Sequence, residues 1–153
     1  MKHLILLIIL GTSITVYAQK SPEAINVPAA VSRNFQQQFP GAADVKWKLK
    51  DNQYKAAFHK HDVWYDANGK LIKQKEDIKN TDLPTAIKQT VEREFTGYTI
   101  KDADKHTNDG AITYKLELKK ETEERKVTFS PDGRVLENVA NKEDKKNKKE
   151  AKQ

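Results

Sequence analysis

The sequence contains no cysteine. This absence excludes disulfide bonds and thiol nucleophiles, so the hydrophobic core alone must stabilise the folded chain. The sequence also lacks the Gly-x-Ser-x-Gly and His-Glu-x-x-His motifs and any phosphate-binding glycine loop. Scattered acidic residues are present, but their spacing favours no acid/base pair. We therefore expect a protein without enzymatic activity and without a cofactor.

Long apolar runs are also absent after the first residues. Lys2 precedes the run at residues 4–10, and the small residue Ala18 follows a few positions later. This run is shorter than the roughly 20 residues that span a bilayer, and its flanks are typical of an export signal. We predict a signal peptide at residues 1–18, cleaved after Ala18, and a periplasmic or secreted protein. It is not expected to be a lipoprotein, because no cysteine is available for acylation.

The formal charge of +6 is unevenly distributed along the chain. Residues 141–153 contain six lysines and three acidic residues and have almost no apolar side chains, so this Lys-rich tail is predicted to be disordered. In residues 19–140, basic and acidic residues are interspersed, as on an ordinary solvated surface. This distribution argues against nucleic acid as a partner.

Two parts of the sequence are similar to each other. Residues 27–41 resemble residues 83–97 at a spacing of 56, and residues 65–72 resemble residues 129–136 at a spacing of 64. An insertion of eight residues, which we place near Thr107–Gly110, accounts for the difference between the two spacings. Such similarity at fixed spacing indicates a duplicated structural unit.

Each copy combines two periodicities. Apolar residues first recur every four positions after a proline, which predicts an amphipathic helix of about three turns. The period then shortens to two, as in Val45, Trp47 and Leu49, which predicts strands with one covered face. Hairpin turns are predicted at Asn68-Gly69 and Asp132-Gly133.

The sequence therefore predicts an α+β fold. We expect a tandem repeat of a helix followed by a three- to four-stranded antiparallel meander, with the helices packed on one sheet face. The first repeat would comprise residues 19–80 and the second residues 81–140. Each half is near the marginal domain size of about 60 residues, so the halves should pack together or share one sheet.

The order of motifs in the first copy also resembles a known family. A helix that ends in Phe39-Pro40-Gly41, a strand with Trp47 and the hairpin at residues 65–70 are similar to the PepSY-like family of exported bacterial proteins. That family is described as similar to β-lactamase inhibitory protein. The resemblance covers almost the whole mature chain except the tail. It implies an exported, non-enzymatic binding or inhibitory module, with no catalytic residues to carry over.

Trp64 is the main candidate for contact with a partner. The other aromatic residues of the predicted strands are in phase with the helix-covered face, whereas Trp64 is out of phase. We expect it on the sheet face away from the helices, with His59, Lys46, Lys48 and Ala57 as neighbours. There it would bind a protein or peptide of the cell envelope. The alternative is that Trp64 is buried between the two halves.

His59 and His61 are the weaker candidates for a site. A His-x-His pair on one strand would place both imidazoles on one face, which suits zinc, but a zinc site needs further ligands. A hairpin turn at His61-Asp62 would instead leave them as solvated polar groups. The alternative function is therefore a small-ligand or metal-binding envelope protein.

Overall fold

The computed structural model describes residues 25–141. The predicted signal peptide, and all of the predicted Lys-rich tail except its first residue, lie outside the described residues. The first half contains helix α1 (Ala29–Gln38) and strands β1 (Lys46–Lys50), β2 (Gln53–Phe58), β3 (His61–Tyr65) and β4 (Leu71–Asp77). The second contains a short 3-10 turn (Asn80–Asp82), helix α2 (Thr85–Glu94) and strands β5 (Thr99–Asn108), β6 (Ala111–Lys120), β7 (Glu123–Phe129) and β8 (Val135–Asn141).

All eight strands form one antiparallel sheet in the order β1-β2-β3-β4-β5-β6-β7-β8. The predicted fold class, an α+β tandem repeat of a helix followed by a three- to four-stranded antiparallel meander, is therefore wrong. The contact that contradicts it is the pairing of β4 with β5, which joins the two halves into one sheet. The paired stretch runs from Lys73 opposite Asn108 to Asp77 opposite Asp104. Over this paired stretch both strands are polar on both faces, so apolar alternation did not reveal that the sheet continues through them.

The two helices begin in the same way and bury residues at similar spacings. Pro28 and Pro84 precede them with φ values of −55° and −52°, and a proline suits this position because its missing N–H has no helical partner. The buried residues recur at helical spacing: Val31 and Phe35 in α1, then Ile87, Thr90 and Val91 in α2. Each helix therefore turns one apolar stripe toward the sheet.

Both helices pack on the same face of the sheet, but over two separate cores. The first core consists of Val31, Phe35, Ala56, Val63 and Tyr65. The second consists of Leu83, Ile87, Val91, Phe95, Ala103, Leu116, Leu118, Val127 and Phe129. Between them, strands β4 and β5 place the polar residues Gln74, Glu76, Lys105 and Thr107 on the covered face.

A glycine fixes one hairpin turn in each half against its helix. Gly69 and Gly133 have φ values of +84° and +85°, which favour glycine. A Cβ atom would lie 2.8 Å from the Ala30 carbonyl oxygen at Gly69 and 2.6 Å from the Ala86 carbonyl oxygen at Gly133. In the first turn the Asn34 side-chain amide also donates a hydrogen bond of 2.8 Å to the Gly69 carbonyl. The turns are therefore packed directly on helix backbone.

Within residues 25–141, no helix has both the length and the apolar character needed to cross a membrane.

Candidate functional site: the open face of the sheet

The face of the sheet opposite the two helices, here called the open face, carries mostly charged side chains. Antiparallel pairing determines its membership, because residues directly opposite each other on neighbouring strands point to the same side. Lys48, Lys55, Trp64 and Lys73 form one such row across β1–β4. The neighbouring row contains Lys46, Ala57, Asp62 and Lys75.

Trp64 lies between two lysines that come from the strands on either side of it. The Lys55 Nζ is 4.9 Å and the Lys73 Nζ 4.6 Å from the centre of the indole ring. Both distances are typical of cation–π contacts, and the aliphatic stems of the lysines leave the indole partly buried. The indole ring therefore holds two ammonium groups on the open face through cation–π contacts.

The structure places the predicted contact residues close together. Lys46, Lys48, Ala57 and Trp64 are on the open face. His59 is instead in the turn between β2 and β3, with φ +23°. It lines a shallow cavity of about 490 Å³ at the end of the sheet, together with residues of the open face. Their role in binding a partner stays a prediction.

His59 and His61 do not share a strand. The turn is at His59-Lys60, and His61 begins β3. The His61 ring faces the helix side, and its centre lies 5.3 Å from the ring centre of Phe58 and 6.1 Å from that of Phe39. Its Nδ1 is buried and has no hydrogen-bond partner within the described residues. In residues 25–141, no three His, Asp or Glu side chains come together in a group that could hold a metal ion.

Sequence reasoning missed four lysines of this face, namely Lys50, Lys55, Lys73 and Lys75. Lys55, Lys73 and Lys75 join the predicted Lys46 and Lys48 only because β2 and β4 pair on either side of β3. The signal was present, since lysines separated by two positions in a strand share a face. To use this signal, one must know how β2, β3 and β4 pair, and the sequence does not give that register.

Folding separates charges that are mixed along the chain. The open side of β1–β4 carries two aspartates, Asp62 and Asp77, and the six lysines that we call the lysine patch: Lys46, Lys48, Lys50, Lys55, Lys73 and Lys75. The open side of β5–β8 carries four lysines, Lys101, Lys115, Lys119 and Lys126, and five acidic residues, Asp102, Asp104, Glu117, Glu124 and Glu137. One half of the face is therefore basic and the other is weakly acidic.

The lysine patch is only partly neutralised. Lys55 pairs with Asp62 at 2.8 Å, and Lys75 pairs with Asp104 at 3.0 Å. The other four patch lysines, which are Lys46, Lys48, Lys50 and Lys73, form no ion pair with a carboxylate of the described residues.

His106 lies on the same face, opposite Lys75. Its Nε2 is buried and has no hydrogen-bond partner among residues 25–141. Burial lowers its pKa, and the nearby charges of Lys115, Lys73 and Lys75 lower it further, whereas Asp104 acts in the opposite direction. The imidazole is therefore held in its neutral form.

This histidine should make the stability of the protein depend on pH. The unfolded chain binds a proton at His106 with a pKa near 6.5, whereas the folded chain binds it only at lower pH. The contribution of His106 should therefore reduce the free energy of unfolding as pH falls from about 7 through 6.5 toward the folded pKa. We expect His106→Gln to flatten this part of the profile. Urea unfolding at several pH values measures it, and parallel profiles for both proteins would contradict it.

An antiparallel sheet with helices α1 and α2 on one face and a charged opposite face defines the structural class of this protein. The profile of the family described as "Putative beta-lactamase-inhibitor-like, PepSY-like" matches residues 17–73 and 52–137. These segments cover more than half of the chain. The chain belongs to this PepSY-like family, and the resemblance seen in the sequence is confirmed.

Solved structures share the fold. A BLIP-like protein from Bacteroides fragilis is 19% identical, with a TM-score of 0.67 over 80% of this chain and 93% of that chain. A DUF2874 family protein from Bacteroides uniformis is 19% identical, with a TM-score of 0.66 over 74% of this chain and 88% of that one. A Bacteroides eggerthii protein, described as a "putative periplasmic" protein, is 18% identical, with a TM-score of 0.66 over 75% and 89%. Curated proteins gave no match.

Proposed function

We propose that this protein is an exported, non-enzymatic module that binds a protein or peptide of the cell envelope through the open face. The observation that carries the proposal is Trp64, held between Lys55 and Lys73 on a sheet face that neither α1 nor α2 covers. Tryptophan is enriched among the residues that dominate protein interfaces. Membership of a family described as inhibitor-like supports a binding role.

The proposed location is the periplasm or the exterior of the cell. It is supported by the export pattern of residues 1–18 and by the description of the Bacteroides eggerthii relative as periplasmic. Inhibition of the bound partner is the more specific form of the proposal, suggested by the description of the family.

Site-specific photo-crosslinking tests which surface binds. A photoreactive phenylalanine analogue at Lys48 would sit on the open face, and the same analogue at Gln37 would sit on the exposed side of α1. In envelope extracts we expect a discrete crosslinked product from position 48 only. Crosslinking from position 37 alone, or from neither position, would contradict binding through the open face.

Trp64→Ala tests the contribution of the indole. We expect recovery of the crosslinked partner from position 48 to fall by at least about fivefold. The substitution removes the indole and also the cation–π contacts that hold the two lysines in place. Equal recovery by both proteins would remove Trp64 from the proposed interface.

A further inference from the structure

We propose that the lysine patch binds an extended acidic segment of a partner protein, laid across β1–β4 with its carboxylates on the unpaired ammonium groups. This inference rests on the proposed function and names the chemical class of the partner. It concerns one half of the open face only.

The charge of the patch is the first argument. Six lysines and two aspartates leave a formal excess of four positive charges on the open side of β1–β4. Carboxylates already bind in this region, since Lys55 holds Asp62 and Lys75 holds Asp104. A surface with this excess attracts acidic segments and repels basic ones.

The spacing of the lysines is the second argument. Lys46, Lys48 and Lys50 are alternate residues of β1, so their side chains repeat every 6.6 Å or so along the strand. Alternate side chains of an extended peptide have the same repeat. An acidic residue at every second position of a bound segment can therefore meet successive lysines.

The other half of the face limits where such a segment can lie. Directly beyond Lys73 and Lys75, the open side of β5 carries Asn108 and His106, and the acidic residues Asp104 and Asp102 follow toward the start of the strand. A bound acidic chain that continued across β5 would therefore meet no lysine opposite β4 on this side, and near Asp104 and Asp102 it would meet like charges, which is unfavourable. The segment is therefore confined to the basic half.

The same residues favour a peptide over a nucleic acid. The patch contains no arginine, the side chain whose planar fork suits phosphate best. Proteins that bind single-stranded nucleic acids commonly stack bases on exposed aromatic rings. Trp64 is the one aromatic residue on the open side of β1–β4, so this surface lacks the series of rings on which successive bases would stack.

Fluorescence anisotropy with a defined probe tests the inference. The probe is a labelled ten-residue peptide with glutamate at alternate positions, titrated with the full mature protein. We expect Lys48→Glu/Lys50→Glu to weaken binding by at least about tenfold. The control Lys115→Glu/Lys126→Glu makes the same change in net charge on the other half of the same face, and we expect it to weaken binding by less than about threefold. All four lysines are exposed, so both variants should fold.

Any one of the following results would overturn the inference. They are no binding of the peptide, an equal loss in both double variants, tighter binding of an oligothymidylate of equal charge, and self-association of the protein through its basic and acidic halves, seen by sedimentation. Crosslinking from position 48 without binding of the acidic peptide would refute only the acidic partner. Loss of crosslinking from position 48 would refute the proposed function itself.

A spectroscopic readout locates the bound peptide. Lys73 and Lys75 lower the pKa of His106. Carboxylates bound to these lysines should therefore raise it, and NMR titration of the histidine ring measures the shift. Ring resonances of His106 that do not shift at saturating peptide would place the peptide elsewhere and overturn the inference.

Discussion

Replacing Gly133 with alanine is expected to lower the free energy of unfolding by about 3 kcal/mol or more. The residue has a φ of +85°, and its new Cβ would lie 2.6 Å from the carbonyl oxygen of Ala86. That oxygen belongs to the backbone of α2, so it cannot move aside as the end of a flexible side chain would. The turn, the helix or both must shift.

Gly110 provides a matched control for this variant. It has the same φ of +85°, but an added Cβ would meet nothing within 4 Å. Gly110→Ala should therefore show only the cost of the left-handed backbone, about 1 kcal/mol. Urea unfolding of both variants separates the two effects. Equal losses of unfolding free energy in the two variants would show that the contact of the new Cβ with α2 adds no further destabilisation.

Leu116→Ala is expected to cost about 3 kcal/mol or more, because its side chain is fully buried in the second core. The loss should not be shared evenly, since the two cores have no residue in common. Between them, Gln74 and Lys105 provide little apolar packing on the covered face. Native-state hydrogen exchange should therefore show larger losses of protection in β6 and β7 than in β2 and β3.

Val63→Ala is the reciprocal variant in the first core. Val63 is also fully buried, and its truncation should reduce protection mainly in β2 and β3. A uniform loss across all strands in both variants would show that the sheet unfolds as one cooperative unit, which would contradict the expected division.

The helices could be predicted from the sequence because their signals are local. Val31 and Phe35 are one helical turn apart, Pro28 precedes them, and the structure places both in the core. The turns at Gly69 and Gly133 were equally clear, since Asn-Gly and Asp-Gly between alternating residues predict hairpins. These features depend on a few neighbouring residues.

The continuous sheet could not be predicted in the same way. Strand β5 has the sequence Thr-Ile-Lys-Asp-Ala-Asp-Lys-His-Thr-Asn, in which no apolar alternation is visible. It forms because β4 and β6 supply hydrogen-bonding partners on both sides, which is a property of the assembled sheet. For the same reason, the lysine patch emerged only when the register placed Lys73 beside Trp64.

The strand order has a consequence for how the chain assembles. Each strand pairs only with the strands that precede and follow it in the sequence. The longest link between paired strands runs from Asp77 to Thr99 and includes α2. Closing short loops costs little entropy, and folds with such local pairing tend to form quickly. A chain that emerges from a ribosome or a membrane channel can therefore extend this sheet strand by strand, without waiting for its C-terminal half.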